Sequence, residues 1–258
     1  MPRNACPFVW YELMTPDAEA AEAFYRSVVG WQTADAAMPG MKYTLLSAGN
    51  VPVAGLWALD QAARDAGAQP SWIGYVGVDD VDAMLPRLTA AGGKRYRPAE
   101  DIPGVGRFAI VADPHGAPFC LFTGQSGDEP PTPPPPGTPG TIGWHELAAG
   151  ALDGAWAFYS GLFGWTKDQA FDMGPMGVYQ LFCTGGEAVG GMLTKPAELP
   201  APGWLYYFNV PALDAAMDRV SAGGGRVVNG PMEVPGGSWI AQCTDPQGVV
   251  FALLAPQR

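Results

Sequence analysis

At 258 residues the chain has room for two ordinary domains, each able to bury its own core. With 48% hydrophobic and 15% charged residues and 9 Trp, its composition excludes a disordered or fibrous chain. A formal net charge of −11, with no cluster of Lys and Arg, excludes a nucleic-acid partner, because neutralising a phosphate backbone needs concentrated positive charge.

No apolar stretch is long enough to span a bilayer, so no membrane partner is expected. Met1 to Cys6 shows no charged region leading into a signal-type apolar run, and a cytoplasmic location is expected. Cys6, Cys120, Cys183 and Cys243 are widely spaced, with no Cys-x-x-Cys, and are expected to be reduced and mostly buried.

Residues 8–14 alternate as a strand does, with Trp10, Glu12 and Met14 on one face and Val9, Tyr11 and Leu13 on the other. Thr15-Pro16-Asp17 supplies a cap and an acid for the positive helix end; Ala20, Ala21, Phe24 and Val28 make the apolar stripe of a helix that Gly30 stops. Tyr43 to Ala48 and Val51 to Leu59, joined by Gly49-Asn50, predict a hairpin. A second module with the same rhythm follows. Ile73 to Val78 is a strand, Val81, Met84, Leu85 and Leu88 form a helix face ending at Gly92-Gly93, and Phe108 to Ala112 and Phe119 to Thr123 are strands around the turn Asp113-Pro114-His115-Gly116. From Asp128 to Gly140 proline dominates, which predicts a stiff, extended linker and a domain boundary. The expected domains are 1–127 and 141–258, with 128–140 between them.

The second half restates the first. Trp10-Tyr11-Glu12-Leu13, Phe24-Tyr25 and Gly30-Trp31 return as Trp144-His145-Glu146-Leu147, Phe158-Tyr159 and Gly164-Trp165, always 134 residues later (10 and 144, 24 and 158, 30 and 164). Further on the interval is 132 (72 and 204, 113 and 245), so two residues were lost between modules of an internal duplication.

Strand, helix and strands, stated twice in each half, give an α+β chain of two consecutive βαβββ modules per domain. With the Phe-Tyr and Gly-Trp pairs around the first helix end and the Asp-Pro-x-Gly turn before the last strand, this resembles the vicinal oxygen chelate superfamily. That group includes glyoxalase I, bleomycin resistance proteins and extradiol dioxygenases, and the nearest resemblance is to its tandem two-domain glyoxalase-like branch. The resemblance implies two tandem glyoxalase-like domains, each a curved mixed sheet around a cavity. It also implies a divalent metal held on the first, fifth and eighth strands. Placed on that pattern, the ligand positions carry Trp10 and Trp144, Ile73 and Leu205, and Cys120 and Ala252. Five of the six have no ligand atom, and one thiolate makes no site for a hard cation. The expectation is therefore no metal ligand set and no cofactor.

If Trp10 faces the cavity, so does Glu12, and Glu146 lies beside Trp144 in the same way. Glu12 and Glu146 are the candidate acid–base residues, since burial among aromatic rings disfavours the charged form and moves a carboxyl towards the range useful for proton transfer. The alternative is that both merely orient strands through a backbone or Arg bond. Trp10, Tyr75, Cys120, Trp144, Tyr207 and Asn209 are the candidate ligand contacts. Trp31, Trp57, Trp156 and Trp165 are read as core, His145 as a hydrogen-bonded structural residue on the helix side, and His115 as a turn residue. Three functions fit: metal-independent proton transfer on a small planar or polycyclic organic molecule, sequestration of such a molecule without reaction, or metal-dependent chemistry with ligands placed elsewhere. The partner is a small molecule in each case, and the chain is a monomer or homodimer.

Overall fold

A computed structural model of the chain describes residues 5–38, 40–65, 67–125 and 133–258. It holds four modules of one pattern. The first runs β1 (Phe8–Thr15), α1 (Ala18–Val29), β2 (Gln32–Asp35), β3 (Tyr43–Ala48), β4 (Val51–Ala58) and a short α2 (Gln61–Asp65). The second runs β5 (Ser71–Gly77), α3 (Val81–Ala90), β6 (Lys94–Arg95), β7 (Glu100–Ile102), β8 (Gly106–Ala112) and β9 (Pro118–Gly124). The third has β10 (Ile142–Ala149), α4 (Leu152–Phe163), β11 (Thr166–Asp172), a 3-10 turn at Gly174–Met176, β12 (Val178–Cys183) and β13 (Ala188–Thr194); the fourth has β14 (Gly203–Asn209), α5 (Leu213–Ala222), β15 (Arg226–Glu233), β16 (Trp239–Thr244) and β17 (Val250–Ala255). The strands form two mixed sheets, of nine and eight strands among the described residues. This is the α+β architecture of repeated βαβββ modules expected from the sequence.

The helix limits follow from the sequence signals. The Asp17 carboxylate accepts from the N–H of Ala20 at 3.0 Å, and Gly30 closes α1 in the left-handed region at φ 86°. Asp80 caps α3 in the same way through Ala83. The Asp113 turn is built by its own side chain, whose Oδ1 accepts from the N–H groups of His115, Gly116 and Ala117 at 2.8–2.9 Å. Strands β2, β6, β7 and β11 carried no expectation of their own. They are short or largely exposed, so no buried face imprints an alternation on them.

Contacts divide the described residues into two compact units. One takes those of Met1–Val9, Ile73–Pro130 and His145–Trp204, the other those of Trp10–Trp72, Pro131–Trp144 and Leu205–Arg258. Each unit thus combines a module from each half of the sequence. In the first unit, Phe119 of β9 packs on Phe158, Tyr159 and Phe163 of α4, and Trp165 stacks on Phe182 with ring centroids 4.6 Å apart. In the second, Tyr25 of α1 meets Phe251 of β17 at 5.2 Å, and Trp31 and Trp72 close on Phe208 of β14. The Trp72 indole N–H donates to the Tyr25 hydroxyl (3.0 Å), which donates to the buried Asp245 carboxylate (3.2 Å). Burial raises the Asp245 carboxyl above its ordinary range, against the lowering effect of the Val249 and Gln247 backbone N–H groups.

The tryptophan expectation holds in part. Trp31 and Trp165 are core, whereas Trp57 and Trp156 are half-buried, Trp156 lying under the ammonium of Lys167. Part of the proline segment, 128–132, lies outside the described residues. Its remainder is more than a spacer: the Trp31 indole donates to the Gly140 carbonyl at 2.7 Å and the Gly140 N–H to the Asn209 carbonyl at 2.8 Å. Cys6, Cys120, Cys183 and Cys243 form no disulfide among the described residues; three are buried and Cys6 is half-buried. No helix among the described residues is long and apolar enough to cross a membrane.

Candidate functional site

Strand β1 presents two faces. Tyr11, Leu13 and Thr15 are buried, while Trp10, Glu12 and Met14 are half-buried on the other side. On that second face the Tyr43 hydroxyl of β3 donates to Glu12 Oε1 at 2.8 Å and accepts from the Trp10 indole N–H at 2.9 Å. A relay Trp10, Tyr43, Glu12 results, all within the second unit.

The relay has to cross a strand. β4 lies between β3 and β1, and its Gly55 is paired with both Leu45 and Glu12. A Cβ on Gly55 would run into the ring and hydroxyl of Tyr43. The missing side chain is what lets the phenol lie across β4 and reach the carboxylate two strands away. Burial, then the neighbouring Glu12 charge, raises the Tyr43 pKa, so the phenol keeps its proton and acts as a donor.

The first unit repeats the arrangement. The Tyr179 hydroxyl of β12 donates to Glu146 Oε2 of β10 at 3.0 Å, across Gly191 of β13, which is paired with Glu146 and whose added Cβ would meet the Tyr179 ring. Both carboxylates therefore hold a tyrosine hydroxyl. Tyr43 and Tyr179 were missed there. The signal was present, since Tyr43 and Tyr179 stand 136 residues apart (43 and 179), as do Gly55 and Gly191 (55 and 191).

The remaining candidates fall as follows. In the first unit, Tyr75 of β5 is buried, paired with Cys120 of β9, and walled by the rings of Phe108 and Phe122 at 6.3 and 6.4 Å. In the second, the hydroxyl of buried Tyr207 on β14 accepts from Gln242 Nε2 at 3.2 Å. The Asn209 side chain, also buried, donates to Thr141 Oγ1 at 2.8 Å and so helps to anchor the end of the proline segment. Trp144 is half-buried on β10.

His145 is the structural residue expected of it. Its ring stacks on Phe8 at 4.4 Å, Nδ1 bonds the Val189 carbonyl at 2.7 Å, and burial lowers its pKa to about 4. His115 is exposed in its turn, with its ring over Gly150 and Gly154. The donor set does not fit the divalent metal that the fold implies. Trp10, Trp144, Ile73, Leu205 and Ala252 offer no ligand atom, and among the described residues no three His, Cys, Asp or Glu side chains are grouped as a metal ion would require.

A family model described as the Glyoxalase/Bleomycin resistance protein/Dioxygenase superfamily matches the chain twice, over residues 8–121 and 141–253. The chain is 32% identical over 249 residues to "Putative glyoxylase CFP32" of Mycobacterium bovis, covering 96% of this chain and 94% of that protein. It is 30% identical over 262 residues to the anthracycline biosynthesis protein DnrV of Streptomyces peucetius, covering 95% and 91%. Among solved structures it resembles the Mn(II)-bound glyoxalase of Novosphingobium aromaticivorans, with a TM-score of 0.66, 18% identity and coverage of 99% and 83%. The 2,2',3-trihydroxybiphenyl 1,2-dioxygenase of Sphingomonas wittichii gives a TM-score of 0.68 at 12% identity, covering 97% and 90%. At these identities the solved structures share the fold.

Proposed function

The chain belongs to the Glyoxalase/Bleomycin resistance protein/Dioxygenase superfamily, and within that family we propose that it binds a small planar or polycyclic organic molecule and moves a proton on it without a metal. The observation that carries the reading is the duplicated Tyr–Glu pair, Tyr43 with Glu12 and Tyr179 with Glu146, each carboxylate set two residues beyond a tryptophan at the first ligand position.

The chemistry follows from the groups. A carboxylate takes a proton from a carbon or oxygen acid of the bound molecule and returns it elsewhere, which serves isomerisation, cyclisation, elimination or water addition. Tyr43 and Tyr179 donate to the carboxylates and hold them in a fixed rotamer, so little reorganisation accompanies the transfer. Trp10 fixes Tyr43 and offers its ring as a stacking surface. Half-buried Trp10, Glu12 and Tyr43 remain within reach of a ligand. The name of the Streptomyces relative, an anthracycline biosynthesis protein, favours a polycyclic aromatic ligand over a small aliphatic one.

Mass spectrometry of the natively purified and then denatured protein tests the reading, with elemental analysis of the same sample. Co-purification of an aromatic or polycyclic small molecule with substoichiometric metal supports it. Stoichiometric nickel, zinc, manganese or iron contradicts it.

A further inference from the structure

The two Tyr–Glu sites are built alike up to one point. In the second unit Leu45 of β3 is paired with Gly55 of β4, and Gly55 with Glu12 of β1; in the first unit Leu181 of β12 is paired with Gly191 of β13, and Gly191 with Glu146 of β10. Two residues further along β1 and β4, on the same face, the correspondence ends. Met14 is paired there with Trp57, and Trp57 with Tyr43 of β3. The residues that answer them are Ala148 of β10, 134 positions on, and Leu193 of β13, 136 positions on, again paired with each other (14 and 148, 57 and 193).

Both exchanges run in the same direction, from a large side chain to a smaller one. Met14, Trp57, Ala148 and Leu193 are all half-buried, whereas the pairs that alternate with them to the opposite face, Leu13 with Leu56 and Leu147 with Met192, are core. They therefore form the wall beside each carboxylate and not the packed interior. An indole and a thioether chain border Glu12 in one unit; an isobutyl group and a methyl border Glu146 in the other. Together the two exchanges free on the order of 150 Å3, the space that one benzene ring fills. Trp57 stands on a strand flanked by β1 and β3, so its backbone is held on both sides. The glutamate, its tyrosine and the glycine between them are the same in both sites, so the difference bears on what fits and not on what reacts.

We propose that the two sites divide ligands by size: Ala148 and Leu193 let the Glu146 site take a polycyclic molecule about one fused ring larger than Met14 and Trp57 allow beside Glu12. The proposal rests on the planar-ligand reading above.

Equilibrium dialysis of the full chain against 2-naphthol and 1-hydroxypyrene, read by the fluorescence of the probes themselves, tests it. The wild type is expected to bind two molecules of the bicyclic probe per chain and one of the tetracyclic probe. The double variant Met14→Ala, Trp57→Leu should raise the count for 1-hydroxypyrene to two. Leu193→Trp should weaken the 1-hydroxypyrene site of the wild type at least tenfold and leave 2-naphthol within about threefold, as overfilling a wall excludes the larger molecule first. If Leu193→Trp loses 2-naphthol as well, the wall has collapsed and the count on the double variant decides alone. A count for 1-hydroxypyrene that is two on the wild type, or that the double variant leaves unchanged, overturns the division by size, while binding of 2-naphthol keeps the planar-ligand reading. If neither probe binds the wild type, both fall.

Discussion

At the scale of single residues, the site depends on side chains that the sequence shows and on one spatial fact that it does not. Glu12 and Glu146 could be singled out because alternation along the first strand of each half puts them beside Trp10 and Trp144. Their tyrosines carried only the signal of the repeat spacing; the pairing itself was not legible, because the link between Tyr43 and Glu12 crosses an intervening strand at Gly55, and strand order is not written in local periodicity. His145 was legible, since the same alternation turned it to the buried face. Its burial also has a pH consequence. The folded-state pKa of about 4 lies below the ordinary 6.5, so above pH 6.5 the ring is neutral in both folded and unfolded chains. Below that the unfolded chain takes up a proton that the folded one refuses, and stability falls until the pH reaches the folded value near 4. The loss attributable to this residue should approach about 3 kcal/mol. Urea unfolding of wild type and His145→Asn between pH 7 and 4.5 checks it, since the carboxylate contribution is common to both and the difference between the two slopes isolates the histidine.

At the scale of elements, the duplication left its helices unequally finished. Asp80 caps α3 through the Ala83 N–H, whereas α5 is preceded by Ala212, whose extended backbone (φ −147°, ψ 131°) suits a cap residue but whose side chain makes no cap bond. Ala212→Asp should therefore stabilise the protein by about 1 kcal/mol, read as a rise in the denaturation midpoint at unchanged slope. A lowered midpoint would show that the end of α5 is satisfied in another way. The strong elements were legible because each buries a stripe or a face: Ala21, Phe24 and Val28 of α1, and Val81, Leu85 and Leu88 of α3. The edge strands were not. β2 is Gln32–Asp35, mostly exposed, and it becomes a strand by pairing with β3 rather than by any pattern of its own.

At the scale of the whole molecule, the sequence repeat and the packing divide the chain differently. The repeat separates residues before and after the proline segment, yet each compact unit draws on both sides of it. Within the second unit Tyr25 bonds Asp245, Trp31 bonds the Gly140 carbonyl and Arg219 bonds the Val28 carbonyl. Within the first unit the Trp165 indole bonds the Cys6 carbonyl and Phe8 stacks on His145. Two co-expressed pieces, cut between 128 and 132, should consequently copurify as a one-to-one complex, and pieces that elute separately as folded monomers would contradict it. The same duplication supplies two Tyr–Glu pairs per chain, and the account stands or falls on them. The most direct measurement compares turnover and ligand affinity of metal-stripped wild type with Glu12→Gln, Glu146→Gln and the double variant. Proton transfer by the carboxylates predicts that stripped wild type turns over fully, and that the double variant keeps its affinity within about threefold while its kcat falls by at least a hundredfold. Activity that vanishes with the metal, or that survives in the double variant, would contradict it.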